Sequence, residues 1–590
     1  MAETTKSGAG HPKGLYVLFF TEMWERFGYY LMLGIFSLYM LDGWNNGGMG
    51  FDPSKKSDIY GTYLGLVYLT PFIGGLLADR ILGYRRSIIM GGLMMATGYF
   101  CLSIHSTTTF YLALLFIILG NGFFKPNIST LVGNLYNNDS LKDKKDAGYN
   151  IFYMGINVGA FICNFVAAYM RINYGWGHAF AAAGVGMLLG VLIFIIGTKH
   201  IKHVDVIKPL KAGDMSTGKI LGMTVVPMFA FGILGYLIPG NLLGTDTNDA
   251  FIIGCLPVIS FFIYLAVSKG SSKNTSLDDA VASSHDSAKE RRAIKALLAV
   301  FACVILFFAI FHQNGDALTV WAEDHTDREM PDAIANVADK IGMAQVVVNN
   351  DVVAMNDEDF NAEIERQRGV EKAMPGGTKE ELDAKAQYGK SIDQLEKSHK
   401  YFESLPADQI PPKGGDLKLY STELFQSINP FWVVLLTPIL VAFFGMLNKR
   451  GKEPSTPTKI ALGLLITALS ALVMVGAVKA TNDLTGKASA WWLMASYGVI
   501  TIGELCLSPM GLSLVSKLSP PRITALMMGG FFLAISVGNK LSGMLSSLWE
   551  KFPQKENYFY LNCGLVLAAA IILFLMLKWL NGVMRENNVS

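Results

Sequence analysis

Charge is scarce in this chain, and the scarcity excludes whole classes of protein. Only 16% of its 590 residues are Asp, Glu, Lys or Arg, while 51% are apolar. A soluble domain of that length needs far more charge to cover its surface. The signs nearly cancel, with 49 basic against 47 acidic residues and a net charge of +2. No strong basic field exists to attract nucleic acid, so no such partner is expected. The six cysteines (Cys101, Cys163, Cys255, Cys303, Cys506 and Cys563) lie in apolar segments without metal-ligand spacing. They read as small packing residues rather than disulfides or ligands. Nucleophile–base arrangements, metal motifs and phosphate loops are missing too, so neither an enzyme nor a bound cofactor or metal is expected. The N-terminus is polar up to Lys13, and the first apolar stretch is long and carries charges, unlike a cleaved signal peptide.

What the chain has instead is long apolar runs. Ile88–Ser103, Phe110–Gly120, Ala179–Gly197, Phe251–Val267 and Leu565–Leu577 carry almost no charge. With their flanks they reach about 20 residues, enough to cross a bilayer core. Lipid offers backbone groups no hydrogen bonds, so each span must be a helix. A window of about 19 residues gives about 14 spans. Six fall at 14–41, 57–79, 84–104, 107–135, 147–173 and 177–198. Two more, 217–239 and 250–268, follow a polar linker. The rest are 293–321, 429–448, 457–479, 488–516, 521–548 and 557–581. The fold class is therefore an all-α membrane protein.

Basic residues in short loops set the orientation. Lys6, Lys13, Arg85, Arg86, Lys142, Lys144, Lys145, Lys199, Lys202, Lys208, Lys211, Lys289, Arg291, Arg292, Lys449, Arg450 and Lys452 fall on one side. His105–Thr109 and Asn241–Asp249, on the other, hold no Lys or Arg. Both termini are thus expected in the cytoplasm. Six helices, an insert of two and six more suggest a repeated plan, as in major-facilitator transporters. The expected division is 1–200 for the first bundle, 201–290 for linker and extra helices, and 291–322 for the first helix of the second bundle. Residues 426–590 complete that bundle. Between them, 323–425 is polar and span-free, with roughly ten more acids than bases. Its segments Asp357–Lys372 and Lys379–Tyr401 read as solvated helices outside the membrane.

Chemistry concentrates in the first helix. Glu22, Glu25, Arg26, Tyr29 and Tyr30 share one helical face by their spacing. Charges at membrane depth are expensive and normally face a partner or an aqueous cavity. Arg26 stays charged, while two neighbouring carboxylates resist joint ionisation, which makes one of them easy to protonate. That is a proton site with its own counter-ion; the alternative is a static ion pair joining helices. Lys125, before Pro126, and Glu504, ahead of Pro509, are further charges within spans of opposite halves. A substrate bearing both a carboxylate and an amine could engage both.

These motifs resemble the proton-dependent oligopeptide transporter family of the major facilitator superfamily. The resemblance rests on Glu22-x-x-Glu25-Arg26-Phe27-x-Tyr29-Tyr30, on Phe152 through Gly159, on Lys125-Pro126-Asn127, and on Glu504 through Ser508-Pro509-Met510-Gly511-Leu512. It covers nearly the whole chain except 323–425. It implies a major-facilitator fold of two six-helix bundles plus two inserted helices, in a bacterial inner membrane. The implied partners are di- and tripeptides, protons and membrane lipid. Glu22, Glu25, Arg26 and Lys125 would couple proton movement to transport. Lys125 would attract the peptide carboxylate, and Asn157, Asn429 and Glu504 would hold the amino end. Tyr30 and Tyr68 would line the cavity. Three positions depart from the family pattern: Leu33 replaces an arginine, His312 an acid, and Phe531 a tryptophan. His312, beside the polar run Gln313-Asn314-Gly315-Asp316, is added to the candidate substrate site. Two rivals remain open at this stage, a relative with a different cargo and a receptor that senses ligand through 323–425.

Overall fold

Apolar runs this long form helices because each backbone amide at lipid depth must bond within its own segment. The computed structural model describes residues 11–136, 145–205, 217–267, 277–375, 378–403, 405–481, 483–520 and 524–587. Lys6, Lys142, Lys144, Lys208 and Lys211 of the basic loops lie outside the described residues. The first bundle comprises α1 (Lys13–Leu41), α2 (Pro53–Leu77), α3 (Tyr84–Leu102), α4 (Thr107–Leu135), α5 (Lys145–Tyr174) and α6 (Trp176–Gly197). Next come α7 (Thr217–Met223), α8 (Val225–Tyr236) and α9 (Asp246–Val267). The second bundle starts with α10 (Leu277–Phe311) and α11 (Ala317–Asp324). It resumes with α15 (Ile428–Lys449), α16 (Thr456–Ala480), α17 (Ala490–Leu518), α18 (Thr524–Ser546) and α19 (Lys555–Glu586).

Among the described residues, 11 helical segments are long and apolar enough to cross a membrane. The expected set also includes α1 and α3, whose charges lower their hydropathy, and the shorter α8. Two expected spans are broken. The span at 293–321 stops at Phe311, passes through a 3₁₀ turn at His312–Gly315 and restarts as α11. Carbonyls released there are taken up by other helices. Ser37 donates to the Gly315 carbonyl at 2.8 Å, and Gln426 and Tyr497 donate to that of Asn314 at 2.8 and 3.2 Å. The span at 217–239 breaks at Thr224, which puts Pro227 in the first turn of α8, where its missing N–H costs nothing.

Residues between α11 and α15 fold as a small body over one face. It contains α12 (Asp332–Lys340), α13 (Asp357–Ala373) and α14 (Lys379–Glu403), the last two where the sequence places solvated helices. It also holds strands that composition did not announce: β1 (Thr326–Asp327), β2 (Gln345–Val348) and β3 (Asp416–Leu419). β2 and β3 pair antiparallel, and β1 pairs parallel with β4 (Ala488–Ser489) of the second bundle. On the other side Arg368 donates to Asn46 at 2.8 Å, and Asn173 donates to the Gly342 carbonyl at 2.7 Å. The excursion therefore touches both bundles. We call the side it covers the excursion face and the side holding Lys13 and Glu586 the terminal face.

Within the first bundle, α2 and α4 approach almost backbone to backbone. A Cβ added at Gly74 would lie 2.0 Å from the Gly122 carbonyl oxygen, which cannot move aside. Gly74→Ala should therefore cost roughly 1–3 kcal/mol by overpacking, measured as a lower Tm in detergent. Gly564→Ala, where nothing lies within 4 Å, should leave Tm unchanged or slightly raised. Equal Tm values would contradict this packing.

Candidate functional site

The two bundles enclose a cavity of about 1330 Å³. From the centre it extends to Thr130, Tyr149, Val441, Phe444 and Lys459, near the terminal face. At the excursion face the bundles are tied together. Lys56 of α2 pairs with Asp316, Asp58 pairs with Lys540 of α18 at 2.5 Å, and Arg171 of α5 pairs with Glu423. Asn164 adds a hydrogen bond to Ser427 at 3.0 Å. The cavity is thus closed on the excursion side.

Of the candidate site residues, Glu22, Arg26, Tyr30, Tyr68, Lys125, Asn157, His312, Asn429 and Glu504 all line this space. Glu25 does not. It is fully buried and chelates the Arg26 guanidinium, with Oε1 accepting from Nη2 at 2.5 Å. Sequence spacing put both glutamates on one face; the structure separates their environments. Glu22 lies 3.7 Å from Arg26 Nε, and its Oε2 is buried without a hydrogen-bond partner. Asn121, bonded to the Val67 carbonyl at 2.8 Å, contributes a longer contact to Arg26 at 3.4 Å. Arg26 also lies over the Tyr29 ring at 4.5 Å and near Tyr30 at 5.7 Å. The guanidinium is therefore held by Glu25, aromatic faces and an amide, leaving Glu22 free to respond to the cavity.

Lys125 places its ammonium over the Tyr68 ring at 4.4 Å, a cation–π contact. It forms no ion pair among the described residues. Glu504 accepts a hydrogen bond from Asn429 at 3.2 Å, and Asn429 is steadied by Thr501 at 2.9 Å. Opposite charges thus face one cavity from opposite bundles without neutralising each other. Asn157, which lines the cavity, donates its amide to the Tyr153 carbonyl at 3.1 Å. His312 stacks on Phe308 at 5.9 Å and approaches Tyr68 at 5.8 Å, with Nε2 buried and unpartnered.

Comparison with known sequences then decides the family. The sequence model of the POT family matches residues 85–339 and 412–562. The chain belongs to the POT family. The match leaves out 340–411, most of the excursion. A di-/tripeptide transporter of Lactococcus lactis subsp. lactis is 28% identical, over 98% of this chain and 97% of its own. The crystal structure of a peptide transporter POT in complex with sulfate superposes with a TM-score of 0.71 at 27% identity, covering 98% of this chain and 97% of that one. A POT family transporter in complex with 5-aminolevulinic acid gives 0.70 at 25% identity, with 98% of each chain covered. The fold is accordingly that of these transporters, and the POT-family chain is a transporter in a membrane, not an enzyme.

Leu33, His312 and Phe531, which the sequence reading set apart, all line the cavity. Phe531 packs edge-on against Phe301 at 5.7 Å. Sequence reading missed the closing pairs Lys56–Asp316, Asp58–Lys540 and Arg171–Glu423. Lys540, fully buried in the middle of α18, carried the same signal as Lys125.

The unequal roles of the two glutamates give a direct test. Glu25→Ala leaves Arg26 buried without its main partner, which should cost about 3–5 kcal/mol. Glu22→Gln should cost clearly less, because it keeps the side chain's shape and removes only a 3.7 Å contact. Tm in detergent distinguishes them; equal losses would contradict the assignment.

Proposed function

We propose that this POT-family chain is a proton-coupled symporter that imports di- and tripeptides across a bacterial plasma membrane. The observation that carries this reading is the pair of uncompensated charges, Lys125 and Glu504, facing one cavity from opposite bundles. A peptide in its zwitterionic form carries the complementary charges at its two ends. Its carboxylate goes to Lys125, and its ammonium goes to Glu504 with help from Asn429 and Asn157. Charge-assisted hydrogen bonds of this kind contribute about 1.5–3 kcal/mol each. Tyr30, Tyr68 and His312 supply ring faces and polar tips around the peptide body.

Proton coupling follows from the first helix. Glu25 keeps Arg26 in place, so the proton is carried by Glu22. A peptide carboxylate arriving at Lys125 competes for the local positive charge and favours a proton on Glu22. Reciprocity requires that a proton on Glu22 favour peptide binding equally. Arg26 and Lys125 thereby link the two ligands. These proposed roles follow those the family likeness implies, except that Glu22 and Glu25 are given different ones.

With both termini cytoplasmic, the terminal face is the inside and the cavity is open inward. Lys56–Asp316, Asp58–Lys540 and Arg171–Glu423 then form the outer closure, and uptake requires all of them to part. In this reading 1–200 and 291–322 with 426–590 are the two moving halves. Residues 201–290 ride beside them, and 323–425 lies outside.

Peptide uptake into proteoliposomes tests the proposal. The parent should concentrate a labelled dipeptide only under an inward proton gradient. Glu22→Gln should abolish accumulation while retaining peptide exchange. Lys125→Ala and Glu504→Ala should each lose at least tenfold in uptake, as one charged contact predicts. Gradient-independent accumulation by the parent, or parent-like uptake by these variants, would refute it.

A further inference from the structure

Helix α12 is amphipathic in an unusual way. Ile334, Ala335, Val337, Ala338 and Ile341 form one continuous apolar arc at helical spacing, opposite Asp332, Asn336, Asp339 and Lys340. Only half of that arc is packed. Ala335 and Ala338 are buried with Met330 and Ala344 in a small core. The large side chains are left out: Ile334 is 46% exposed, Val337 59% and Ile341 53%. The polar side is already engaged, with Asp339 paired to Lys418 at 2.8 Å. A helix that buries alanines and presents branched aliphatics needs a further apolar partner.

The position of α12 says which partner. Its C-terminus ends in a tight turn, with Met343 N–H donating to the Ala338 carbonyl at 2.8 Å and Gly342 at φ +71°. Asn173 of α5 donates to the Gly342 carbonyl at 2.7 Å, and a Cβ on Gly342 would meet the Asn173 side chain at 2.9 Å. Only glycine permits both the backbone and the approach. Asn173 caps a stripe of α5 that reads Ile162, Phe165, Tyr169, Asn173, at spacings of three and four. Those three apolar residues are 46%, 39% and 39% exposed, as lipid-facing side chains of a spanning helix are. Tyr169 and Tyr174 pair at 6.1 Å at the same level, where aromatic residues collect at a membrane boundary. The C-terminal end of α12 therefore meets α5 at the end of its exposed apolar stripe.

We infer that α12 is an interfacial anchor, with Ile334, Val337 and Ile341 set into the lipid of the leaflet on the excursion face. The excursion is then held at both edges, by β1–β4 pairing on the second bundle and by α12 in lipid beside the first. Short amphipathic helices bury such faces at the boundary between headgroups and acyl chains. The inference stands on α12 and α5 alone and does not depend on which cargo is carried.

Val337→Cys and Ile341→Cys, labelled with an environment-sensitive fluorophore in proteoliposomes, test it. Glu358→Cys on exposed α13 serves as the aqueous comparison, and the unsubstituted chain reports any label on its native cysteines. Both α12 sites should emit at shorter wavelength than Glu358→Cys. Lipids with a nitroxide near the headgroup should quench them at least twofold more strongly. Emission and iodide quenching equal to those of Glu358→Cys would overturn the anchor. So would shielding that ignores nitroxide lipids and fades as the protein is diluted in the bilayer, which would mean a second copy covers the face. The two α12 sites are exposed and leave the small alanine core intact, and unchanged Tm confirms folding.

Discussion

A guanidinium that cannot lose its charge sits at membrane depth, and much of the site is arranged around that constraint. Arg26 is 2% exposed. Leaving such a charge unpaired in a low-dielectric interior costs several kcal/mol. Glu25 answers it with a chelating carboxylate, Asn121 with an amide oxygen, and Tyr29 and Tyr30 with ring faces. Arg26 is thus held without a close contact from Glu22, which lines the cavity. On the proposed function, one helix would thus separate a permanent counter-ion from a titrating one.

The same rule sorts the other buried charges. Those that pair across the bundles, Lys56–Asp316, Asp58–Lys540 and Arg171–Glu423, lie toward the excursion face and shut it. Those that do not pair, Lys125 and Glu504, line the cavity. Both groups are sorted by the same cost, that of an uncompensated charge away from water. Opening the excursion face would expose the closing pairs to solvent, which lowers the cost of parting them. The zwitterionic peptide we propose as cargo would relieve the two charges in the centre.

Much of this was legible in the residues. Apolar runs located the spans, and intramembrane charge located Glu22, Arg26, Lys125 and Glu504, because both signals are local in sequence. The distinct role of Glu25 was not legible. Helical spacing gives a face, but one rotamer decides which carboxylate chelates Arg26. The break after Phe311 depended on donors from Ser37, Gln426 and Tyr497, on three other segments, which no window over 293–321 contains. The short strands β2 and β3 were hidden by a polar composition and by the 67 residues and more that separate them in the chain. Lys540 was visible but embedded in a span whose other residues signalled only packing.

The central claim is that peptide and proton meet through Glu22, and proton counting tests it most directly. Dipeptide is added to purified protein in weakly buffered detergent solution at neutral pH, without a membrane or gradient. The parent should show net proton uptake on binding peptide, since binding favours the protonated carboxylate. Glu22→Gln should bind peptide with no proton uptake. Equal proton uptake by the parent and Glu22→Gln, or none by the parent at saturating peptide, would contradict the account.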